Sequence, residues 1–174
     1  MKILFISLGC DKNLADSEEM LGLLTGNGHE IVDSEEEADA IVINTCCFIH
    51  DAKEESVNTI LEMAEYKKTG TCKILIVTGC MAQRYKEEIT EEIPEVDAVL
   101  GTTSYGDIVK ALNEAEAGHV FQEFKDINAL PEDSGRRVIT TGGHFGYLKI
   151  AEGCDKHCTY CIIPSLRGKF RSVP

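Results

Sequence analysis

The segment KILIVTGC, residues 73–80, decides the fold class of this chain of 174 residues. It is a short apolar run rich in β-branched residues, and it ends in Gly79 followed by a cysteine. Two earlier segments, ILFISLGC and AIVINTC, end in the same way at Cys10 and Cys46. Apolar runs of this length without polar alternation indicate strands that are buried on both faces of a parallel sheet. The three segments therefore predict three strands of one sheet, each with a cysteine just beyond its end.

Helical patterns lie between these apolar runs and complete the predicted fold. We expect strands over residues 2–8, 30–33, 39–44, 73–77, 98–101 and 119–124. We expect helices over residues 16–28, 52–68, 82–93 and 104–118. Asp16 or Ser17 is the predicted N-cap of the first helix. The alternation of strands and helices predicts an α/β fold with a doubly wound, mostly parallel sheet.

The distribution of charge divides the chain near residue 134. Residues 1–134 carry 28 acidic and 10 basic side chains, whereas residues 135–174 carry 2 acidic and 7 basic ones. The polar segment 126–137 reads as a linker, and residues 146–154 read as a strand of a second unit. We therefore predict an N-terminal domain over residues 1–134 and the incomplete start of a second domain over residues 135–174.

The acidic balance of the first domain bears on the class of partner. Binding to phosphate backbones needs lysine and arginine to replace counterions, so nucleic acid is not an expected partner of this chain. A basic protein is a better match, and solubility is the alternative reason for the charge. No apolar run approaches the ~20 residues that span a bilayer. The charged residues that follow the first run argue against a signal peptide, so we expect a cytoplasmic protein without membrane contact.

Cys10, Cys46 and Cys80, here called the first trio, are distant in the sequence but each follows a predicted strand. The carboxyl ends of parallel strands meet at one edge of a sheet, where ligands bind. Three thiolates at that edge predict a metal or iron–sulfur site with one open position, as in catalytic sites. The alternative is that these cysteines are small core residues. Cys47 and Cys72 are expected not to be ligands, because Cys47 points elsewhere and Cys72 precedes its strand.

The segment GCDKHCTYC places Cys154, Cys158 and Cys161, here called the second trio, in C-x3-C-x2-C spacing. The chain has eight cysteines and no export signal, a setting in which clustered cysteines more often bind metal than form disulfides. Three thiolates this close together fit a 4Fe-4S cluster with one iron left open. Zinc is the alternative, and it would need His157 as a fourth ligand. We expect that histidine to face solvent instead.

The spacing of the second trio, with Tyr160 before its last cysteine, resembles the radical S-adenosylmethionine superfamily. In that superfamily the three cysteines bind a 4Fe-4S cluster, and its fourth iron chelates S-adenosylmethionine. One electron then cleaves the cofactor, and the resulting 5′-deoxyadenosyl radical abstracts a hydrogen atom. The resemblance implies that the second trio holds this cluster. It also suggests that Tyr160 packs on the adenine of the cofactor, with local packing as the alternative.

Four segments, SLGCDKN, INTCCFI, TGCMAQRY and IAEGCDKHCTYCIIPSLRGKFRS, together resemble the methylthiotransferases of that superfamily over nearly the whole chain. In that family an N-terminal domain binds a second 4Fe-4S cluster through three cysteines, which match the first trio. SLGCDKN, FIHDAKEES and PSLRGKFRS are most similar to the RimO type, which methylthiolates the β-carbon of an aspartate on ribosomal protein S-twelve. The type that modifies isopentenyl-adenosine in tRNA usually has YGCQMN and YTRGRERS. Val173 departs from the family pattern, which usually has an arginine there.

The resemblance implies two 4Fe-4S clusters and S-adenosylmethionine, used both as methyl donor and as radical source. It implies ribosomal protein S-twelve as substrate and an electron donor of the flavodoxin or ferredoxin type. Beyond the six thiolates no catalytic side chain is identified, although Asn13 and Asn44 are expected to shape the loops of the first trio, with ordinary turn formation after a strand as the alternative. A (β/α) barrel needs on the order of 200 residues. Residues 135–174 would then be only the start of one, and the chain is not expected to catalyse alone.

Three other functions fit parts of the pattern. An iron–sulfur electron carrier would need further ligands at the open irons, and a zinc-stabilised α/β domain would hold zinc rather than iron and sulfide. An enzyme of the same family that acts on tRNA is the nearest rival. A comparison of tRNA and the ribosomal protein as substrates would separate the last case from the RimO type.

Overall fold

A six-stranded parallel sheet forms the centre of the structure, a computed structural model that describes residues 1–130 and 135–173. Its strands are β1 (Lys2–Ser7), β2 (Glu30–Val32), β3 (Ala40–Thr45), β4 (Ile74–Gly79), β5 (Ala98–Leu100) and β6 (Phe121–Glu123). The strand order is β2-β1-β3-β4-β5-β6, and every pair of neighbours is parallel. The predicted α/β class and doubly wound sheet are confirmed.

The strand order fixes where a ligand site can form. The chain runs from β1 outward to β2 and then returns to place β3 on the other side of β1. This reversal makes a switch point between β1 and β3, and such crevices at the carboxyl ends of strands are where open α/β sheets bind ligands. The register pairs Ser7 with Asn44 and Thr45 with Gly79, so the ends of β1, β3 and β4 lie side by side.

Helices cover both faces of the sheet. They are α1 (Asp11–Gly26), α2 (His50–Thr69), α3 (Cys80–Arg84), α4 (Lys86–Glu92), α5 (Ile108–Glu116) and α6 (Ile163–Arg167). On one face Met20 and Leu24 of α1 share an apolar cluster with Leu112 of α5. On the other face Ile60 of α2 and Ile89 of α4 belong to a second cluster. The strands between them are buried on both faces, which explains their continuous apolar sequences.

The predicted start of the first helix is wrong, because α1 begins at Asp11 with Cys10 as its N-cap. Asp16 and Ser17, the residues that read as a cap, lie inside the helix and are buried. The Ser17 hydroxyl donates to the Asn13 carbonyl at 2.9 Å, one turn back. The Asp16 carboxylate binds Arg167, a residue far along the sequence. Both side chains therefore have partners that local sequence patterns do not reveal.

The prediction of a single helix over residues 82–93 is also wrong. The chain forms α3 and α4 with Tyr85 between them, and Tyr85 has a non-helical φ of −121° and ψ of 36°. The change of direction lets Met81 of α3 and Ile89 of α4 reach the same apolar cluster. Packing of these two side chains therefore overrides the continuous helical pattern of the sequence.

The residues after the sheet contain little regular structure among those described. β7 (Ala151–Glu152) pairs antiparallel with β8 (Arg171–Ser172), so only two residues of the strand predicted over 146–154 enter a ladder. Part of the predicted linker, residues 131–134, lies outside the described residues. The domain boundary after residue 134 remains a prediction. Across the described part of the chain, the helices are too short or too polar to cross a membrane.

The segment that follows residue 134 lies along α1. The Val138 amide donates to the Glu18 carbonyl at 3.0 Å. The Glu18 carboxylate accepts the Arg137 guanidinium at 2.6 Å and the Thr140 amide at 2.7 Å. Gly22 makes room for this contact, because a Cβ at that position would stand 2.7 Å from the backbone of Arg136. The glycine on α1 therefore has a packing role, and Glu18 anchors the segment.

The anchoring by Glu18 is expected to weaken in acid. Burial raises the pKa of this carboxyl, but hydrogen bonds from Thr140 and Arg137 outweigh burial and hold it below its ordinary value of 4.5. A group with a lowered pKa stabilises the folded contact above its ordinary pKa, and that contribution is lost as the pH falls through the lowered value. The protection of the Val138 and Thr140 amides against hydrogen exchange, measured relative to the intrinsic rate at each pH, should therefore fall below pH 4.5.

Glu18→Gln should remove most of this pH dependence. At neutral pH it should also accelerate exchange of the Thr140 amide about tenfold or more, since a hydrogen bond to a charged group contributes about 1.5–3 kcal/mol. Glu62→Gln, on the exposed side of α2, is the matched control and should change neither quantity. An undiminished acid response in Glu18→Gln would show that another group controls the contact.

Candidate functional site

The first trio lies at the carboxyl edge of the sheet. Cys46 follows β3 directly, Cys80 follows β4 directly, and Cys10 stands three residues beyond the end of β1. Because β1, β3 and β4 are adjacent strands, the fold brings the three residues to the same edge, at the switch point. Cys46 and Cys80 are each only 6% exposed, whereas Cys10 is exposed. The trio therefore opens to solvent on the side of Cys10.

The buried amide of Asn13 connects the three loops that carry these cysteines. Its Nδ2 donates to the carbonyl oxygens of Leu8 and Thr45, each at 2.9 Å. Its Oδ1 accepts from Cys80 Sγ at 3.8 Å. Leu8 precedes Cys10 by two residues and Thr45 directly precedes Cys46, so one side chain fixes the approach to every member of the trio.

Asn44 supports this arrangement from β3. Its Nδ2 donates to the Asn13 carbonyl and to Ser17 Oγ, both at 2.9 Å. The two asparagines therefore make the contacts expected of residues that shape the loops of the first trio. Neither is exposed, so both amides act within the protein interior.

Two glycines allow the loops to come this close, and the sequence analysis missed them. Gly9 has a φ of +98°, and a Cβ there would stand 2.8 Å from Cys46 Cβ. Gly79 has a φ of +93°, and a Cβ there would stand 2.5 Å from the Thr45 carbonyl oxygen. Side chains avoid this backbone region, which glycine adopts readily. The signal was visible as a Gly-Cys pair at both places.

The electrostatic surroundings of Cys80 combine opposing effects. Burial raises the pKa of the Cys80 thiol, while Arg167 lowers it by charge and by hydrogen bonding. The negative charge of a thiolate at Cys46 or Cys10 raises the pKa of Cys80 further. A metal ligand must be a thiolate. The positive charge of Arg167 is therefore the feature of this environment that favours the ligand form.

Cys47 and Cys72 are placed differently from the trio. Burial raises the pKa of the Cys47 thiol to about 12, and its Sγ donates to the Cys80 carbonyl at 3.3 Å. Burial also raises the pKa of Cys72, which precedes β4 and donates to the Ile74 carbonyl at 3.3 Å. That neither cysteine is a ligand stays a prediction, and these contacts are consistent with it.

Thiol labelling should reflect this difference. In the metal-free chain, iodoacetamide is expected to label Cys10 and Cys158 first, because both are exposed. Cys47 and Cys72 should react at least about a hundredfold more slowly, since the thiolate is the nucleophile and burial disfavours it. Mass spectrometry of the digested chain gives each rate, and the chain in denaturant is the control. Equal rates for Cys47 and Cys158 would contradict the structure.

The second trio lies in the loop between β7 and α6. Cys154 and Cys161 are half-buried and Cys158 is exposed. The Cys154 amide donates to the Gly168 carbonyl at 3.1 Å, and the Cys161 amide donates to the Cys158 carbonyl at 3.0 Å. His157, the candidate zinc ligand, is exposed and has a φ of +47°. Tyr160 is 89% exposed, so local packing does not account for it.

The donors at both trios suit an iron–sulfur cluster. Each trio offers only sulfur, and soft thiolates are the ligands of such clusters. Within residues 1–130 and 135–173, no three His, Cys, Asp or Glu side chains are arranged around the position of a single metal ion. In a cubane cluster each thiolate binds a different iron, so its ligands stand farther apart than those of one ion. Ligation by the six cysteines stays a prediction.

Charged side chains fill the space between α1 and the segment that leads to the second trio. Lys149 pairs with the Asp16 carboxylate and lies 3.4 Å from that of Glu152. Lys12 donates to the Ala151 carbonyl at 2.7 Å. Arg167 joins the same network from α6. Local patterns in the sequence did not indicate these contacts, because most of the partners are more than 100 residues apart.

Comparisons with known proteins found a matching family model and several relatives that share one name. A family model described as "Uncharacterized protein family UPF0004" matches residues 2–101. The protein named "Ribosomal protein uS12 methylthiotransferase RimO" from Lachnoclostridium phytofermentans is 67% identical over 174 residues, which cover all of this chain and 40% of that protein. The protein of the same name from Clostridioides difficile is 52% identical over 172 residues, 99% of this chain and 39% of its own. The chain thus spans about 40% of the length of such relatives.

Proposed function

We propose a function from the fact that the chain belongs to protein family UPF0004. The protein of which it forms part is a radical S-adenosylmethionine methylthiotransferase that acts on an aspartate of ribosomal protein uS12. The relatives that carry this name share up to 67% of their aligned residues with the chain. Since the chain spans about 40% of their length, the activity is a proposal for the whole protein of which these residues form part.

The observation that carries the proposal is the convergence of Cys10, Cys46 and Cys80 at one edge of the sheet. A radical enzyme that only abstracts hydrogen needs the second trio alone. Transfer of sulfur needs a place to hold sulfur, and three thiolates around an open position are suited to that task. The exposure of Cys10 supports access of a substrate from solvent on that side.

The bound groups would supply the chemistry that amino acids lack. A 4Fe-4S cluster and S-adenosylmethionine at the second trio would supply a carbon-centred radical, and a 4Fe-4S cluster at the first trio would supply sulfur. The residues of the chain hold and orient these groups. Asn13 fixes the loops of the first trio, and the Gly168 carbonyl fixes the loop of Cys154. The exposed ring of Tyr160 is proposed to pack on the adenine of the cofactor.

The charge of the chain supports a basic protein substrate. The net charge is −13, and the acidic side chains are concentrated before residue 135. Complementary charge raises the rate of encounter with a basic ribosomal protein, whereas it opposes binding of RNA phosphates. We include in the proposal an electron donor of the flavodoxin or ferredoxin type and a cytoplasmic location.

A chimaera tests this function directly. This chain replaces the aligned residues of the Lachnoclostridium phytofermentans relative, and the purified product is supplied with iron, sulfide, reductant and S-adenosylmethionine. With uS12 as substrate, mass spectrometry should find one methylthio group on one aspartate, and tRNA should stay unmodified. Modified tRNA, or unmodified uS12 where the parent relative modifies it, would overturn the proposal.

A single substitution separates the two trios in the same assay. The chimaera with Cys46→Ala should still cleave S-adenosylmethionine to 5′-deoxyadenosine but should transfer no methylthio group. The matched control is Cys72→Ala, which should keep both activities because Cys72 lies at the other end of β4. Retained transfer in the Cys46→Ala chimaera would remove the first trio from the mechanism.

A further inference from the structure

We propose that Arg167 is a positioning residue that couples the two trios: it fixes Asn13 and places a buried positive charge beside the first trio. This inference rests on the proposed function, because it assigns a cluster to the first trio. Arg167 ends α6, six residues after the last cysteine of the second trio. Its side chain is only 2% exposed and reaches back to α1.

The contacts of the guanidinium tie it to the first trio. One terminal nitrogen donates to Asn13 Oδ1 at 2.5 Å. The same oxygen accepts from Cys80 Sγ at 3.8 Å, so the arginine and the cysteine share one acceptor. Asn13 in turn holds the loops before Cys10 and Cys46. Loss of the guanidinium therefore frees the amide that organises all three cysteines.

The backbone next to Arg167 belongs to the second trio. The carbonyl of Gly168 accepts the Cys154 amide at 3.1 Å. The backbone segments around Gly153 and Gly168 approach closely at this point, because a Cβ on Gly153 would stand 2.6 Å from the Gly168 carbonyl oxygen. A shift of Cys154 is therefore transmitted to residue 168 and from there to the neighbouring arginine. The side chain and the adjacent peptide thus join one trio to the other.

The network that holds the Arg167 guanidinium contains two carboxylates and two lysines. Its other terminal nitrogen donates to Asp16 at 2.7 Å and to Glu152 at 3.1 Å. These two carboxylates also pair with Lys149, and Lys12 lies 3.5 Å from Glu152. Arg167, Lys149 and Lys12 thus all lie beside these carboxylates. Since arginine stays protonated in proteins, a positive charge remains next to the first trio.

A fixed cation at this place has a defined consequence for a bound cluster. Reduction adds negative charge, and nearby charges and hydrogen bonds set the reduction potential of a cluster. Arg167 should therefore raise the potential of a cluster at the first trio. A residue that served folding alone would leave that potential unchanged in a folded variant, so the potential distinguishes the two roles.

Three variants of this chain test the proposal: Arg167→Gln, Arg167→Lys and the control Arg171→Gln. Arg171 lies in the same segment, but its guanidinium donates to the backbone carbonyls of Ala129, Lys169 and Arg167 itself, whereas the Arg167 guanidinium reaches Asn13. Cys154, Cys158 and Cys161 are changed to Ala in every sample, so that only the first trio can hold iron. Arg167→Gln should still fold, since Lys149 and Lys12 remain beside the carboxylates. If Arg167→Gln does not fold, Arg167→Lys, which preserves the charge, serves as the second variant.

The expected readouts differ between the variants. After reconstitution, Arg167→Gln should lower the midpoint potential of the cluster, while Arg167→Lys and Arg171→Gln should leave it near that of the parent. In the metal-free chain, Arg167→Lys should speed labelling of Cys80 by iodoacetamide at least fivefold, because lysine keeps the charge that favours the thiolate but not the full set of hydrogen bonds that hold the loop. Arg171→Gln should not change that labelling rate.

The failures of the two proposals can be told apart. If the parent binds no iron at the first trio, the proposed function fails, and labelling of Cys80 alone decides the positioning role. If the parent binds a cluster but Arg167→Gln has the parent's potential and Arg167→Lys has the parent's labelling rate, the proposed function survives and the role of Arg167 is wrong. Should Arg167→Gln not fold, a potential for Arg167→Lys far below that of the parent would overturn the charge effect.

Discussion

Replacement of Asn13 by alanine is expected to abolish cluster binding at the first trio and to lower the free energy of unfolding by about 3 kcal/mol or more. The carbonyls of Leu8 and Thr45 lose their donor, and Arg167 loses an acceptor. Each buried polar group left without a partner costs about 1–3 kcal/mol. Because three loops lose the same brace, the cysteines should no longer hold a common geometry.

Denaturant unfolding and iron analysis of the same preparation check this prediction. Asn27→Ala is the matched control, since the exposed Asn27 amide donates to a single carbonyl, that of Leu23. It should cost less than about 1 kcal/mol and leave iron binding intact. An Asn13→Ala chain with the stability and iron content of the parent would show that the loops are held by other contacts.

Gly79→Ala is the second change with a large expected effect. Gly79 has a φ of 93° and a ψ of −158°, a region that is essentially restricted to glycine. A methyl group there would also stand 2.5 Å from the Thr45 carbonyl oxygen and 2.8 Å from its amide nitrogen. Backbone atoms of a buried strand cannot move aside cheaply. We expect a loss of about 4 kcal/mol or more, at the upper end of single substitutions.

Two other glycines separate the causes of this loss. Gly118 has a φ of +81° but open space around its missing Cβ, so Gly118→Ala should show the conformational cost alone, about 1–3 kcal/mol. Gly106 has open space and no positive φ, so Gly106→Ala should change stability little. If Gly79→Ala lowered the free energy of unfolding no more than Gly118→Ala, the loops of Cys46 and Cys80 would not be packed as closely as the structure shows.

The sequence was sufficient for the sheet and for the position of the first trio. Continuous apolar runs such as KILIV expose apolar side chains on both faces of a strand, so both faces must be buried. Parallel strands have their carboxyl ends at a common edge of the sheet. The residues that follow those ends are then neighbours whatever their separation in sequence. That argument places Cys10, Cys46 and Cys80 together without any knowledge of the side-chain contacts.

The sequence was not sufficient where long-range polar contacts decide the local structure. Asp16 resembles a helix cap, but it lies inside α1, where it pairs with Arg167, 151 residues away. Tyr85 interrupts a continuous helical pattern because side chains on either side of it pack into one core. Glu18 resembles a surface residue of an acidic helix, yet it anchors Arg137 and Thr140. Such partners have no signature in local periodicity.

Iron and acid-labile sulfide per chain, measured after anaerobic reconstitution, test the central claim most directly. The comparison is between the parent, the triple variant Cys10→Ala, Cys46→Ala and Cys80→Ala, and the control variant Cys47→Ala and Cys72→Ala. The triple variant should lose about four iron and four sulfide relative to the parent, the content of one 4Fe-4S cluster, and the control should lose none. Unchanged iron in the triple variant would show that these cysteines are core residues and that the sheet edge holds no cluster.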